Sequence, residues 1–215
     1  MWLAYGIAWQ GTPLPDRPGI LGHPLAWVVV NDLAVLVEPG FEEQTLAGWG
    51  EPRWLEAALT HAAVVQTVFA TATILPIALR SGFFAEVAPI YALLQGQGAQ
   101  WAERLRDLAG YGETTVRVVP GEVGAEELAG RAYFAAKRAR WQSLETLQQT
   151  LIANSLAHRV GPVRDGEVLR MDLLLTMAQW SALRAQWAEG AGWRVAIGDW
   201  LPPYTFAGDG VTPNG

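Results

Sequence analysis

Three histidines are the first residues in this chain that could carry a proton or hold a metal ion. His23, His61 and His158 stand in three separate stretches. None has a partner at the i+3 or i+4 spacing that sets two ligands on one helix face. His23 and His158 flank loops, where a solvated ring is expected. His61 sits in a helical pattern, one turn from Ala57 and Val65. Two readings stand for it: a packed helix histidine, or a ligand or general base. Carboxylates pair as Glu42-Glu43 in a loop and as Glu126-Glu127 at the opening of a helix, where negative charge favours the dipole. Solvation or capping accounts for both pairs. The chain has no cysteine, which excludes thiol catalysis, thiolate metal sites and disulfides. There is no phosphate-binding Gly-rich loop. Gly96-Gln97-Gly98 falls inside a helical pattern, the wrong place for a dinucleotide turn. Gly-x-Ser-x-Gly is missing too. No metal or cofactor is expected.

What remains is contact chemistry. Arg131, Lys137, Arg138 and Arg140 place four positive charges within ten residues. They form a solvated helix face, a docking patch for an acidic protein surface, or, least in keeping with the composition, an RNA contact. The tail crowds Trp193, Trp200, Pro202, Pro203, Tyr204 and Phe206 into 14 residues. It either packs over the last strand or offers an adhesive patch.

Composition narrows the classes. The chain has 215 residues, 51% hydrophobic and 17% charged, too apolar for intrinsic disorder. Net charge is −6, and Lys137 is the only lysine among 15 basic residues. Nucleic-acid binders carry a basic face, so that class is set aside. Eleven tryptophans exceed what a small core needs and point to an apolar or protein-facing surface. The first basic residue is Arg17, so the start lacks the positive region of a secretory signal. Ala57 to Leu79 carries no charge apart from His61 and is 23 residues long, enough to span a bilayer. Its four threonines, Gln66 and Pro76 favour an amphipathic helix followed by a buried strand. That helix would bury Leu55, Ala58, Leu59, Ala62, Val65 and Phe69.

The elements that must position these residues follow from periodicity and punctuation. Residues 2–9 read as a strand and 11–19 as a Pro/Gly-rich loop. Trp27–Asn31 and Leu33–Glu38 read as a hairpin turned by Asn31-Asp32. Pro52 opens a helix to about Phe69, followed by a strand at 73–79. Ser81 is expected to cap a long helix with Phe84, Val87, Tyr91, Leu94, Gly98, Trp101, Leu105 and Leu108 at heptad spacing. That seam packs either on its own sheet or on a partner helix. After Gly110 come a strand at 114–119, a helix from about Ala125 to His158 and a weak strand at 160–165 with an Asp165-Gly166 turn. An alternating strand at 169–175, a helix at 177–189 and a strand at 193–197 complete the order β-α-β-β-α-β, the ferredoxin-like plan. The strands at 114–119 and 169–175 carry no aromatic residue, which removes an RNA platform. The expected fold class is α+β in two domains: an N-terminal mixed α+β domain, 1–110, and a C-terminal ferredoxin-like domain with an aromatic, Pro-rich tail, 111–215.

Several of these pieces, in this order, resemble the gas vesicle protein family GvpL/GvpF. Tyr5-Gly6-Ile7 is similar to the family's first strand. His61-Ala62-Ala63-Val64-Val65 and Ile74-Leu75-Pro76-Ile77 resemble its His-x-x-Val-Val helix and following strand. Gly130-Arg131-Ala132-Tyr133 with Lys137-Arg138 resembles its Gly-Arg-Ala-Tyr-Leu helix, and Trp200 to Phe206 resembles its Trp-Pro-Pro-Tyr-Ser-Phe ending. The sequence departs at Ala78-Leu79-Arg80-Ser81, where the family has Arg-Phe-Gly-Thr after Leu-Pro. It departs again at the extra Leu201 and at Leu169-Arg170-Met171-Asp172-Leu173. The resemblance implies a non-enzymatic structural or accessory protein of gas vesicle assembly, in the vesicle within the cytoplasm. Its partners would be the main hydrophobic shell protein and other accessory vesicle proteins. No nucleic acid, membrane span or small-molecule substrate is expected. Trp200, Pro202, Pro203, Tyr204 and Phe206, then Arg131 and Arg138, are the candidate contact residues. The competing reading is a ferredoxin-like small-molecule sensor or enzyme served by His61 or Asp172.

Overall fold

The computed structural model describes residues 1–121, 130–164, 166–186 and 192–207. The architecture is mixed α+β with two antiparallel sheets. The chain divides into two compact units: residues Met1–Gly110 together with the tail from Leu201, and residues Tyr111–Trp200. The sequence division carried the tail with the second domain. Its described residues group with the first unit, where the Arg104 guanidinium donates to the Phe206 carbonyl.

The first unit is built on β1 (Trp2–Trp9), β2 (Ala26–Val30), β3 (Leu33–Pro39), β4 (Ile74–Pro76) and β5 (Phe83–Phe84). The strands run in the order β2-β3-β1-β4, with β5 also paired to β1. Leu3 to Ala8 are buried without alternation, so both faces of β1 are covered. The helices α2 (Glu51–Phe69) and α3 (Ala88–Asp107) pack on this sheet, and the short α1 (Glu43–Ala47) precedes them. The expected hairpin is present: Val30 pairs with Leu33, and Asn31 takes φ 53°, a left-handed conformation that asparagine tolerates.

A register shift between Ala4 and Gly6 leaves Tyr5 without a β3 partner and bulges the strand there. Gly6 is needed beside the bulge. A Cβ at this position would lie 2.7 Å from Ile74 and 2.8 Å from the Leu75 carbonyl oxygen of β4. A paired backbone cannot move away. Gly6→Ala should therefore lower the unfolding free energy by about 1–3 kcal/mol, read as a reduced urea midpoint. An unchanged midpoint would show that β4 is free to shift.

Two helices differ from their expected form. α2 begins with Pro52 in its first turn, as expected, yet it buries Ala57, His61, Val64, Val65, Val68 and Phe69. Leu55 and Leu59 are 61% and 65% exposed, and Ala58 and Ala62 are exposed beside them. Without Asp, Glu, Lys or Arg from Ala57 onward to break the pattern, α2 carries two apolar stripes, and the one bearing His61 and the valines takes the sheet. α3 starts after Val87 rather than at Ser81, which closes a short 3-10 turn at Leu79–Ser81; Pro89 lies in the first helical turn. Ile90, Leu94, Trp101 and Leu105 are buried, Leu108 follows just past the helix end, and α3 packs on β1 to β4. The heptad seam therefore serves its own sheet, and Tyr91 is left exposed.

The second unit runs β6 (Tyr111–Pro120), α4 (Arg131–Ala153), β7 (Ala157–Val160), β8 (Leu169–Thr176), α5 (Met177–Gln186), β9 (Trp193–Ile197). Its strands pair antiparallel in the order β7-β8-β6-β9, the ferredoxin-like arrangement read from the sequence. Val116, Val118, Leu144, Leu147, Leu151, Met171, Leu173 and Trp193 belong to its core. α4 stops at Ala153 rather than running to His158. The Ser155 hydroxyl donates to the Ile152 carbonyl, the Leu156 amide is taken by Leu174, and His158 joins β7. The expected helix start near Ala125, the Glu126-Glu127 pair, Asp165 and the α5 terminus at Gly190 lie outside the described residues. Among the described residues, no helix is long and apolar enough to cross a membrane.

Candidate functional site

His61, the histidine set in a helical pattern, is taken up by packing. His61 is 3% exposed, and its ring stacks on Tyr5 with centroids 5.0 Å apart and planes 16° apart. Burial pulls its pKa from 6.5 down to about 4, with a bond to the Ile77 backbone offsetting part of the shift. The ring is neutral at pH 7 and almost wholly enclosed by protein.

The bulge that displaces Tyr5 also builds a cluster the sequence reading did not single out. Glu38, at the end of β3, is fully buried. Its Oε2 accepts from the Tyr5 hydroxyl at 2.6 Å and the Ile20 amide at 2.7 Å. Its Oε1 accepts from the amides of Leu21 at 2.8 Å and His23 at 3.3 Å. Four donors around one carboxylate fasten the loop at 19–23 to the sheet. Gly19 makes room, since a Cβ there would fall 2.2 Å from the carboxylate. Burial raises the Tyr5 phenol well above its ordinary range, Glu38 adds to this, and Arg17 works against it. Arg53 ties the same loop to α2 by donating to the Ile20 carbonyl at 3.4 Å. His23 turns its Nδ1 to the Pro39 carbonyl at 3.0 Å. Asp172, the other candidate for chemistry, accepts from the Thr115 hydroxyl at 2.6 Å. Among the described residues, no three His, Asp or Glu side chains gather in a way that could hold a metal ion.

The candidate contact residues fall in different settings. In the tail, Pro202 and Pro203 are buried, and the chain turns over them through Tyr204 N to Pro202 O at 2.8 Å and Ala207 N to Pro203 O at 2.7 Å. Among the described residues of the tail, Leu201 and Tyr204 are exposed and Thr205 and Phe206 are half-buried. Half-buried Trp200 donates its indole N–H to the Leu175 carbonyl at 3.2 Å within the second unit. On α4, Arg131, Lys137 and Arg138 are exposed. Arg140 leaves the cluster: its guanidinium lies 4.5 Å from the Trp193 ring centre and donates to the Gly192 carbonyl.

The first unit holds a further surface. Leu55, Ala58, Leu59 and Ala62 follow i, i+3, i+4, i+7 spacing along the solvent side of α2. Beside its first turn, the rings of Phe41, Trp49, Trp54 and Phe83 meet edge to face at 5.0–6.4 Å, with Arg53 over Trp49 and Arg80 over Trp54. The sequence assigned this leucine stripe to the core. The available signal was the second stripe, Ala57-His61-Val64-Val68, which competes with it.

The described residues thus form an α+β protein in which Glu38 and His61 are buried in the packing and apolar side chains of α2 and α4 are exposed. The chain is a member of the gas vesicle synthesis protein GvpL/GvpF family, whose model matches residues 1–139. The match includes α2 and reaches Arg138; it stops before the tail. The crystal structure of GvpF from Anabaena sp. PCC7120 is similar at TM-score 0.69 and 18% identity, covering 96% of this chain and 95% of that one. The crystal structure of GvpF from Microcystis aeruginosa is similar at TM-score 0.71 and 16% identity, covering 96% and 98%. At these identities the two structures bear on the fold. No curated protein matches the chain. Family membership supports a gas vesicle-related role.

Proposed function

We propose that this protein is a non-enzymatic accessory of gas vesicle assembly, acting in the cytoplasm by holding the hydrophobic shell protein and by contacting other accessory vesicle proteins. The observation that carries the reading is the α2 stripe. Leu55 and Leu59 leave most of their surface in water on a helix otherwise packed on a sheet. Fully burying a leucine is worth about 1.5–3 kcal/mol, so an apolar partner gains by covering the pair. No charge lies along the helix from Ala57 onward apart from the neutral, buried His61, which suits an uncharged partner face. In the tail, Pro202, Pro203 and Phe206 form the turn that presents Tyr204 as a smaller contact, and Trp200 precedes it in the chain. Arg131 and Arg138 supply a second, polar contact on α4.

The test is a pull-down of the main shell protein from co-expressing cells. Wild type should retain it, and Leu55→Glu with Leu59→Glu should retain at least about tenfold less while keeping the wild-type thermal melt. Tyr204→Ala should have a smaller effect. Retention by wild type no better than by a scrambled control removes the reading.

A further inference from the structure

Among the described residues, the first half of α4 buries no side chain against its own unit. Every residue from Arg131 to Ala139 is exposed, and among the described residues the helix meets the core through Leu144, Leu147 and Leu151, with Ile152 packed beside them. A free helix this short is marginal in water, so a covering partner would stabilise it. Its surface is not simply polar. Tyr133 is 49% exposed, Phe134 66% and Trp141 54%, and the Tyr133 and Phe134 rings meet edge to face at 5.5 Å. Phe134, Arg138 and Trp141 stand at i, i+4, i+7, and Lys137 is one residue from Arg138. No carboxylate occurs between Arg131 and Glu145. Neither ion pair among the described residues, Arg53–Glu56 or Arg170–Glu167, involves these cations.

We propose that this half of α4 is a docking face for an acidic amphipathic helix of a partner protein. Charge selects the partner: a cationic, aromatic face on a chain of net charge −6 attracts the opposite sign from the rest of its surface. Spacing selects the form, because Phe134 and Trp141, two turns apart on one stripe, receive the i, i+3, i+4 anchors of a facing helix. A lipid surface fits less well. Bilayer-bound helices keep their cations off the apolar face, whereas Arg138 stands between Phe134 and Trp141 on one stripe.

This inference deepens the second contact proposed above and is tested without any vesicle protein, so the two can fail separately. The probe is a labelled synthetic peptide of about 18 residues, long enough to form helix on contact, with leucine on one face and glutamate beside it. A control peptide carries lysine in place of glutamate. Fluorescence anisotropy with the full chain should show the glutamate peptide binding at least about tenfold tighter than the lysine peptide, and weakening as salt rises. Lys137→Glu with Arg138→Glu should lose about tenfold, as should Phe134→Ala with Trp141→Ala. Equal binding of both peptides, no binding, or no response to either variant overturns the proposal. So does a wild-type dimer in sedimentation that the variants dissolve, which would assign the face to a second copy of this chain. Binding of anionic vesicles or RNA that the variants abolish would overturn it as well.

Discussion

Glu38→Ala should lower the unfolding free energy by about 4 kcal/mol or more, the largest effect expected of any single substitution in the first unit. The carboxylate is fully buried and accepts from four donors, the Tyr5 hydroxyl and the amides of Ile20, Leu21 and His23. Removing it leaves the Leu21 and His23 amides and the Tyr5 phenol proton facing a cavity, while the Ile20 amide keeps the Tyr5 hydroxyl oxygen at 3.0 Å as its one acceptor. Each buried donor without a partner costs about 1–3 kcal/mol, and relaxation of the loop recovers part of the sum. Tyr5→Phe removes one donor and keeps the ring stacked on His61, so it should cost about 1–2 kcal/mol. The double variant should lose less than the two single losses added together, because the Tyr5–Glu38 bond can be lost only once. Urea unfolding of the four proteins measures all of this. A Glu38→Ala loss below about 1 kcal/mol would mean that the loop at 19–23 is held by its apolar contacts at Ile20 and Leu25 instead.

The cage also marks where the sequence stops being legible. Strands with alternating or continuous apolar character could be read directly: β1, the β2–β3 hairpin and the whole βαββαβ order of the second unit follow from periodicity and turn residues. Glu38 could not be assigned, because its partners arrive through a one-residue bulge at Tyr5 and a loop that folds back from 15–19 residues away. Pattern reading along the chain does not see such a meeting. The α2 surface was hidden for a different reason. Uncharged from Ala57 onward, the helix offers two apolar stripes, and period alone cannot say which faces the sheet. Arg140 looked like its neighbours in the cation cluster, and its stacking on Trp193 depends on a strand more than 50 residues later. In the tail, composition located the aromatic and proline residues. Their burial order, prolines inside and Tyr204 outside, comes from a turn closed by backbone hydrogen bonds.

His61 supplies a second large effect, this one set by pH. Its folded pKa is lowered to about 4 from 6.5, mainly by burial. Below pH 6.5 the unfolded chain takes up a proton that the folded chain refuses until about pH 4. The unfolded state therefore binds more protons in this window, and stability falls as pH falls, by about 1.4 kcal/mol per unit. The His61 contribution is fully present above pH 6.5, and about 3 kcal/mol of it is lost by pH 4. His61→Phe keeps a flat ring against Tyr5 and cannot take up the proton. It also removes a buried Nε2 that has no hydrogen-bond partner. Urea unfolding of both proteins from pH 7.5 to pH 4 isolates the histidine, because carboxylate titration is common to the two and cancels in the difference. The curves should run parallel above pH 6.5 and diverge below it, the variant gaining about 3 kcal/mol relative to wild type by pH 4. Parallel curves throughout would mean that the ring reaches solvent and titrates in the folded protein as it does in the unfolded chain. That result would reopen His61 as a residue able to exchange a proton with a ligand, and with it the sensor or enzyme reading that its packing against Tyr5 now argues against.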